Sequence, residues 1–175
     1  MAIIEAIESH YLEVDTASVT FSSLGSYEHL QIRVSGRHNS AGSGSRTIYI
    51  RFNGDTGSNY SSHTMNAYNG SNTNADKYTG QSYVYQGGRL TGPLTPSAAN
   101  YGASVIDVLD YQNANKNTTL QQTSGIVADY SGNSFLWFGS SLWDNTAAVT
   151  SILVYPEAGS FVRGTTISLY GIKSS

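Results

Sequence analysis

The segments YEHLQIRV (residues 27–34) and TIYIRFNGDTGSNY (residues 47–60) decide the fold class of this chain. In the first, Leu30, Ile32 and Val34 alternate with polar side chains, and in the second apolar residues occupy every other position up to Phe52. Successive side chains of a strand point to opposite faces of a sheet, so this period of two predicts strands with one buried face. A Gly/Ser-rich segment, residues 36–46, joins the two runs, and we therefore expect a long β-hairpin.

Strand-like runs recur along the rest of the chain. We expect strands near residues 5–14, 18–22, 28–35, 47–53, 62–68, 82–86, 103–110, 118–127, 134–143, 148–155 and 165–172. Clusters of Gly, Asn, Ser and Pro separate them, and polar residues 69–81 are predicted to form a long loop, either a binding loop or a contact arm. The pattern predicts one all-β domain over residues 1–175, an antiparallel β-sandwich with little or no helix.

Two segments also fit short helices. Isoleucines at 3, 4 and 7 match both a strand and a helical stripe, and the strand is favoured because no capping residue precedes them. Residues 1–14 are a candidate N-terminal arm. Residues 95–99 (TPSAA) fit a single helical turn with Pro at its first position.

Composition excludes several classes of function. Charged residues make up 12% of the chain and the net charge is −3, so we expect no nucleic-acid partner, which would need clustered Lys and Arg. The 175 residues contain no Cys, which leaves no disulfide or thiolate metal site. Neither a basic leader nor an apolar run of about 18 residues occurs, so we expect synthesis in a cytoplasm and no membrane contact.

Catalytic signals are weak, and we predict a non-enzymatic protein without cofactor, metal or catalytic residues. A triad can be composed from Ser61, His63 and Asp55, but any Ser-rich chain offers such a set. The carboxylates of Asp107 and Asp110 are separated by an odd number of residues and therefore do not share a strand face, as a glycosidase pair would need. The loop NGDTGSN (residues 53–59) offers oxygen ligands, yet it lacks the acid spacing of a Ca²⁺ loop and is interpreted as a hairpin turn.

The run SFLWFGSSLW (residues 134–143) breaks the alternation, because it is apolar on both faces from 135 to 138. Such a strand is either central in a sandwich and covered by a loop, or covered on one side by another subunit. Aromatic side chains are enriched in subunit interfaces. The candidate interface residues are Phe135, Trp137, Phe138 and Trp143.

Sugar recognition is a further possibility for a sandwich rich in Tyr, Asn and Asp. Aromatic rings stack on sugar rings, and amides and carboxylates bond their hydroxyl groups. Trp143 with Asp144 and Asn145, or the segment 78–85, is a candidate site. The alternative interpretation assigns these residues to turns and to the core.

Four blocks of the sequence resemble small structural proteins of tailed bacteriophages. They are residues 19–33 (VTFSSLGSYEHLQIR), 50–60 (IRFNGDTGSNY), 142–152 (LWDNTAAVTSI) and 161–173 (FVRGTTISLYGIK). Gly25 and Ser26 stand where the family usually has Pro, and residues 69–100 match no block of the family. The blocks are specific to the family and much less specific about a role within the virion.

The resemblance implies a jelly-roll-like sandwich that joins a virion assembled in the host cytoplasm. We expect a capsid decoration (cement) protein that binds the major capsid protein, stabilises contacts between capsomers and forms a homo-oligomer, with a trimer favoured. The alternative is a receptor- or glycan-binding head of a tail or capsid fibre. Under the first expectation, residues 135–143 pack between subunits while the N-terminus or a loop grips the shell.

Overall fold

The computed structural model describes residues 3–42, 44–70, 72–93, 99–127 and 134–173, which form two antiparallel sheets packed as a sandwich. In chain order the strands are β1 (Ile3–Tyr11), β2 (Val19–Phe21), β3 (His29–Gly36), β4 (Ser45–Phe52), β5 (Tyr60–Tyr68), β6 (Asn72–Gln81), β7 (Arg89–Thr91), β8 (Gly102–Leu109), β9 (Thr118–Ile126), β10 (Phe135–Trp143), β11 (Ile152–Pro156) and β12 (Thr166–Lys173). The larger sheet has eight strands in the order β1-β12-β3-β8-β9-β10-β5-β6, and the smaller has four in the order β2-β11-β4-β7. The predicted all-β antiparallel sandwich is confirmed. None of the described segments is a helix long and apolar enough to cross a membrane.

The core lies between the facing surfaces of the two sheets. Leu30, Ile32 and Val34 of β3 belong to the same buried cluster as Ile50 and Phe52 of β4, and each is at most 3% exposed. The alternation that was read from the sequence therefore identifies the buried face of both strands correctly. Burial of this apolar surface is the main term that holds the sheets together, at about 25 cal/mol per Å².

The predicted hairpin between the two strands is wrong. β3 pairs with β12 and β8 in the larger sheet, whereas β4 pairs with β11 and β7 in the smaller one. The intervening residues cross from one sheet to the other, and Arg37 and His38 are buried in that crossing. Alternation reports which face of a strand is buried, and in a sandwich both layers bury a face, so the pattern does not specify the pairing partner.

The predicted loop over residues 69–81 and the predicted strand over 82–86 are also wrong. Residues 72–81 form β6, which pairs with β5 at the edge of the larger sheet. Its side chains are polar on both faces, as is common for edge strands, so no apolar period marks it. Residues 82–86 form a turn in which Val84 makes one backbone bridge to Ile50 and Gln86 has a φ of 61°.

The N-terminal segment is a strand, as the sequence favoured. Residues 3–11 of the candidate arm form the other edge of the larger sheet and pair with β12. The predicted helical turn over 95–99 falls largely on residues outside the described ranges.

Candidate functional site

Strand β10 lies between β9 and β5, and its two faces carry different kinds of side chain. Phe135, Trp137 and Trp143 point inward, while Leu136 and Phe138 point outward. Trp137 is 6% and Trp143 1% exposed, whereas Leu136 is 47% and Phe138 46% exposed. Of the four candidate interface residues, Phe138 thus presents the most surface, Phe135 is half-buried, and the two tryptophans belong to the interior.

The outward side chains of β10 belong to a larger apolar surface, which we call the outer apolar patch: Met65, Val105, Leu136 and Phe138. All four side chains are exposed. Val105 lies opposite Thr123, Thr123 opposite Phe138, and Phe138 opposite Met65, so a single cross-strand row runs over β8, β9, β10 and β5. Contiguous exposed apolar surface of this kind marks interaction sites in soluble proteins.

Polar side chains and charged side chains of both signs border the outer apolar patch. The neighbouring cross-strand row contains Asp107, His63 and Lys77. Arg33 is opposite Val105 on β3. Asp107 Oδ1 accepts a 2.8 Å hydrogen bond from Gln31 Nε2, which fixes its position. An apolar centre inside a polar rim is the usual anatomy of a protein–protein interface.

The two carboxylates considered for glycoside hydrolysis occupy different places. Asp107 lies on the outer face of β8, whereas Asp110 follows the strand in a turn with a φ of 50°. Asp110 forms an ion pair with Lys116 and lies 3.5 Å from His29 Nδ1. The hydrogen bond from Lys116 holds the pKa of Asp110 below its usual range. Both acids are thus engaged with other side chains.

The structure does not assemble the triad composed of Ser61, His63 and Asp55. Asp55 Oδ2 accepts hydrogen bonds from Trp143 Nε1 (2.7 Å) and Asn59 Nδ2 (2.9 Å). Its Oδ1 accepts the Gly57 backbone N–H at 2.8 Å, so the 53–59 turn occupies both oxygens itself. These bonds, led by that from Asn59, lower the pKa of Asp55. Within the described ranges, no group of three or more His, Asp and Glu is placed to hold a metal ion.

The first candidate sugar site is wrong because Trp143 has no accessible ring face. The indole packs 5.5 Å from the Phe52 ring and 6.3 Å from the Tyr60 ring, inside the core cluster. Asp144 beside it accepts a hydrogen bond from Asn117.

The second candidate, residues 78–85, contributes to a tyrosine cluster on the outer face of the smaller sheet. Tyr49 stacks on Tyr83 at 4.0 Å, and Tyr78 lies 4.0 Å from Tyr85. Burial raises the pKa of Tyr49, Tyr78 and Tyr85. The rings pack mainly on one another. Tyr49 is therefore buried although it lies on the outer face of the smaller sheet.

Sequence reasoning missed a groove on the inner face of the larger sheet, where it extends to β6. We call it the amide groove; it has a volume of about 430 Å³ and is lined by Asn66, Tyr68, Asn72, Thr73, Asn74 and Phe135. The sequence gives no apolar period over β6 that would have marked it as a strand, so the groove could not be located from the sequence.

Comparison with known proteins assigns no family. No protein family and no curated protein matches the sequence. The fold has weak likeness to an engineered GH43 glycoside hydrolase with endo-xylanase and exo-arabinofuranosidase activity (TM-score 0.35, 11% identity, 84% of this chain and 29% of that one). The likeness is weaker still to a scytalido-glutamic peptidase with a transition-state analog inhibitor (TM-score 0.26, 10% identity, 91% of this chain and 66% of that one). It is similarly weak to a xylan β-1,4-xylosidase from Bacillus halodurans (TM-score 0.25, 8% identity, 84% of this chain and 28% of that one). The chain spans less than a third of each glycoside hydrolase and about two thirds of the peptidase, and these scores carry no argument about function.

Proposed function

We propose that this protein is a non-enzymatic virion structural protein of a tailed bacteriophage, a capsid decoration protein that binds the outer shell and stabilises contacts between capsomers. The outer apolar patch is the observation that carries the proposal. A surface made of Met65, Val105, Leu136 and Phe138 is exposed on a fully formed sheet. The four sequence blocks that resemble phage structural proteins supply the virion context.

In this proposal a second copy of the chain covers the outer apolar patch. The rim contains Arg33 and Lys77 as well as Asp107, so the same face of another copy can offer opposite charges. Burial of Phe138 and Leu136 between subunits supplies the favourable free energy, about 1.5–3 kcal/mol for each large apolar side chain. A trimer is favoured by analogy with other shell decorations, and several weak contacts per oligomer then hold the shell firmly.

The oligomer is tested by sedimentation velocity over a range of protein concentrations. The double variant Leu136→Ser/Phe138→Ser should shift the protein towards monomer, because its apolar contact area is removed. The matched control is Gln121→Ala, a polar position on the same face of the neighbouring strand β9, which should sediment like the wild type. Circular dichroism verifies that each variant keeps its strands.

Shell binding is tested with expanded capsids that lack the chain. The wild type should co-sediment with them, and a quantitative gel should find hundreds of copies per particle. A monodisperse monomer that leaves expanded capsids unbound overturns the proposal. A count of only a few to some tens of copies per virion also overturns it and supports the alternative, a receptor- or glycan-binding head of a fibre.

A further inference from the structure

The inner face of the larger sheet becomes uncovered towards its β6 edge. One cross-strand row shows this directly: Trp137 on β10 lies opposite Asn66 on β5, and Asn66 opposite Asn74 on β6. Trp137 is covered by Arg89 of β7, whose guanidinium carbon lies 3.7 Å from the centre of the indole ring. Asn66 is 8% exposed, and Asn74 is exposed. The row therefore leads from the interior into the amide groove.

Asn66 is the buried polar group of the groove. Its amide lines the groove and can donate two hydrogen bonds and accept two. Trp137 Nε1 and Arg89 Nε, farther along the row, are buried without a partner, but they do not line the groove. The amides of the lining are suited to a polar ligand.

The opposite wall of the groove is aromatic. The rings of Tyr68 and Phe135 lie 4.7 Å apart, opposite each other on β5 and β10. Next to them, Asn72 lies opposite Tyr68 on β6. The groove thus combines an apolar ring surface with several amides and has no charged residue in its lining. Its volume is within the range of small-molecule sites, roughly 300–1,000 Å³.

We propose that the amide groove binds a neutral saccharide. A sugar ring places its C–H face on Tyr68, and its hydroxyl groups bond to the amides of Asn66 and Asn74. Asp76 acts as a positioning residue, because its carboxylate accepts hydrogen bonds from Asn74 Nδ2 at 3.1 and 3.2 Å. That contact leaves the Asn74 carbonyl oxygen free to accept from a hydroxyl. The uncharged lining favours neutral sugars over sialylated or phosphorylated ones.

This inference goes beyond shell attachment and does not depend on it. The groove is on the inner face of the larger sheet, whereas the outer apolar patch is on the opposite face. A decoration protein with both surfaces would associate with its own copies through one and bind a cell-surface polysaccharide with the other.

The test is saturation-transfer difference NMR of the full chain with methyl glycosides of glucose, galactose, mannose and N-acetylglucosamine. We expect saturation transfer to at least one of them at millimolar concentration, a usual affinity range for one sugar ring in an open site. Asn74→Ala, at an exposed position that leaves the core intact, should weaken binding at least tenfold. The matched control is Thr119→Ala, at an exposed position on the outer face of β9, which should bind like the wild type.

Asn66→Leu distinguishes a binding role from a structural one. If the amide serves a ligand and not the fold, this near-isosteric change removes binding while the melting temperature stays close to that of the wild type. A lower melting temperature with unchanged binding overturns the proposal. So does the absence of saturation transfer to all four glycosides, or occupation of the groove by a capsid protein segment. Binding of the glycoside-saturated protein to expanded capsids is measured in parallel, so that failure of either proposal is recognised separately.

Discussion

Trp143 Nε1 donates a 2.7 Å hydrogen bond to Asp55 Oδ2, and this contact joins the last residue of β10 to the turn that follows β4. Those two strands belong to different sheets, so the bond acts between the layers. In the same turn Asn53 Oδ1 accepts the backbone N–H groups of Thr150 (2.7 Å) and Ser151 (3.1 Å), just before β11. The NGD sequence is thus more than a reversal of the chain, because its side chains connect three strand ends.

Replacing Asp55 by Ala should destabilise the protein by about 1–3 kcal/mol, the usual effect of leaving buried donors unpaired. The indole N–H of Trp143 and the amide of Asn59 both lose their acceptor. The measurement is the free energy of unfolding from urea titration, followed by tryptophan fluorescence. Thr56→Ala, at an exposed position of the same turn, is the control and should change it by less than about 0.5 kcal/mol. Equal effects of the two variants would contradict the prediction.

The same carboxylate should make the protein sensitive to acid. Because the pKa of Asp55 is lower in the folded than in the unfolded protein, the unfolded chain binds the proton first as the pH falls. The stabilisation is complete above the ordinary pKa of 3.8 and is lost as the pH falls through the folded value. Asp55→Asn removes this titration, so its unfolding free energy should change less below pH 4 than that of the wild type. A steeper acid limb in the variant would contradict the assignment.

His38 should add a second pH dependence in a higher range. It is fully buried in the crossing between β3 and β4, and burial lowers its pKa from 6.5 to about 4. Between these values the unfolded chain binds a proton that the folded protein does not, so stability falls by about 3 kcal/mol as the pH falls from 6.5 to 4. Above pH 6.5 the free energy of unfolding no longer depends on the protonation of His38.

The measurement for His38 is the free energy of unfolding of His38→Asn across that pH range. Asn keeps an acceptor near the position of Nδ1, which accepts the Ser40 backbone N–H at 3.1 Å, and it removes the titrating ring. The variant should therefore show a flatter profile than the wild type. Parallel profiles for wild type and His38→Asn would refute the argument.

The sequence predicted strands and buried faces well and strand partners poorly. The alternation in β3 and β4 follows from local geometry, so one segment suffices to identify it. The pairing of β3 with β8 and β12 depends on residues at least 66 positions away along the chain, and nothing local encodes it. The two-faced apolar run of β10 left two interpretations open, a central strand covered by a loop and a strand covered by another subunit. β10 is central in the larger sheet, but Leu136 and Phe138 on its outer face are exposed.

The candidate sites depend on which strands pair and which sheet face is inside, and the sequence did not predict this. Phe138 and Trp137 are neighbours in sequence and differ in exposure by 40 percentage points (46% against 6%), and only the sheet decides which face is inside. The amide groove exists because β6 pairs with β5 in a register that places Asn74 opposite Asn66. A polar edge strand has no apolar period, so neither the strand nor its register was visible beforehand.

Gly171 and Gly125 offer a matched pair of strand glycines with opposite expectations. A Cβ at Gly171 would lie 2.3 Å from two atoms of the Tyr27 ring, which packs directly over the backbone of β12. A Cβ at Gly125 would meet its nearest atom at 3.6 Å, an ordinary contact. Gly171→Ala should therefore lower the free energy of unfolding by about 1–3 kcal/mol through overpacking. Gly125→Ala should be neutral or stabilising by up to about 1 kcal/mol, since it restricts the unfolded chain. Urea titrations of both variants test the contrast, and a larger loss in Gly125→Ala would contradict it.

Arg89 should respond to substitution as a buried cation held by aromatic rings. Its guanidinium lies over Trp137 and, at 5.0 Å, over Phe135, and burial lowers its pKa to about 10. Arg89→Met keeps the length of the side chain on the indole and removes the unpaired Nε, so its unfolding free energy should stay within about 1 kcal/mol of the wild type. Arg89→Ala uncovers Trp137 and should lower it by about 2–4 kcal/mol. Both values come from urea titration, and quenching of Trp137 fluorescence by acrylamide checks the exposure of the ring. If Arg89→Met is as unstable as Arg89→Ala, the charge itself stabilises the sandwich and the packing argument is refuted.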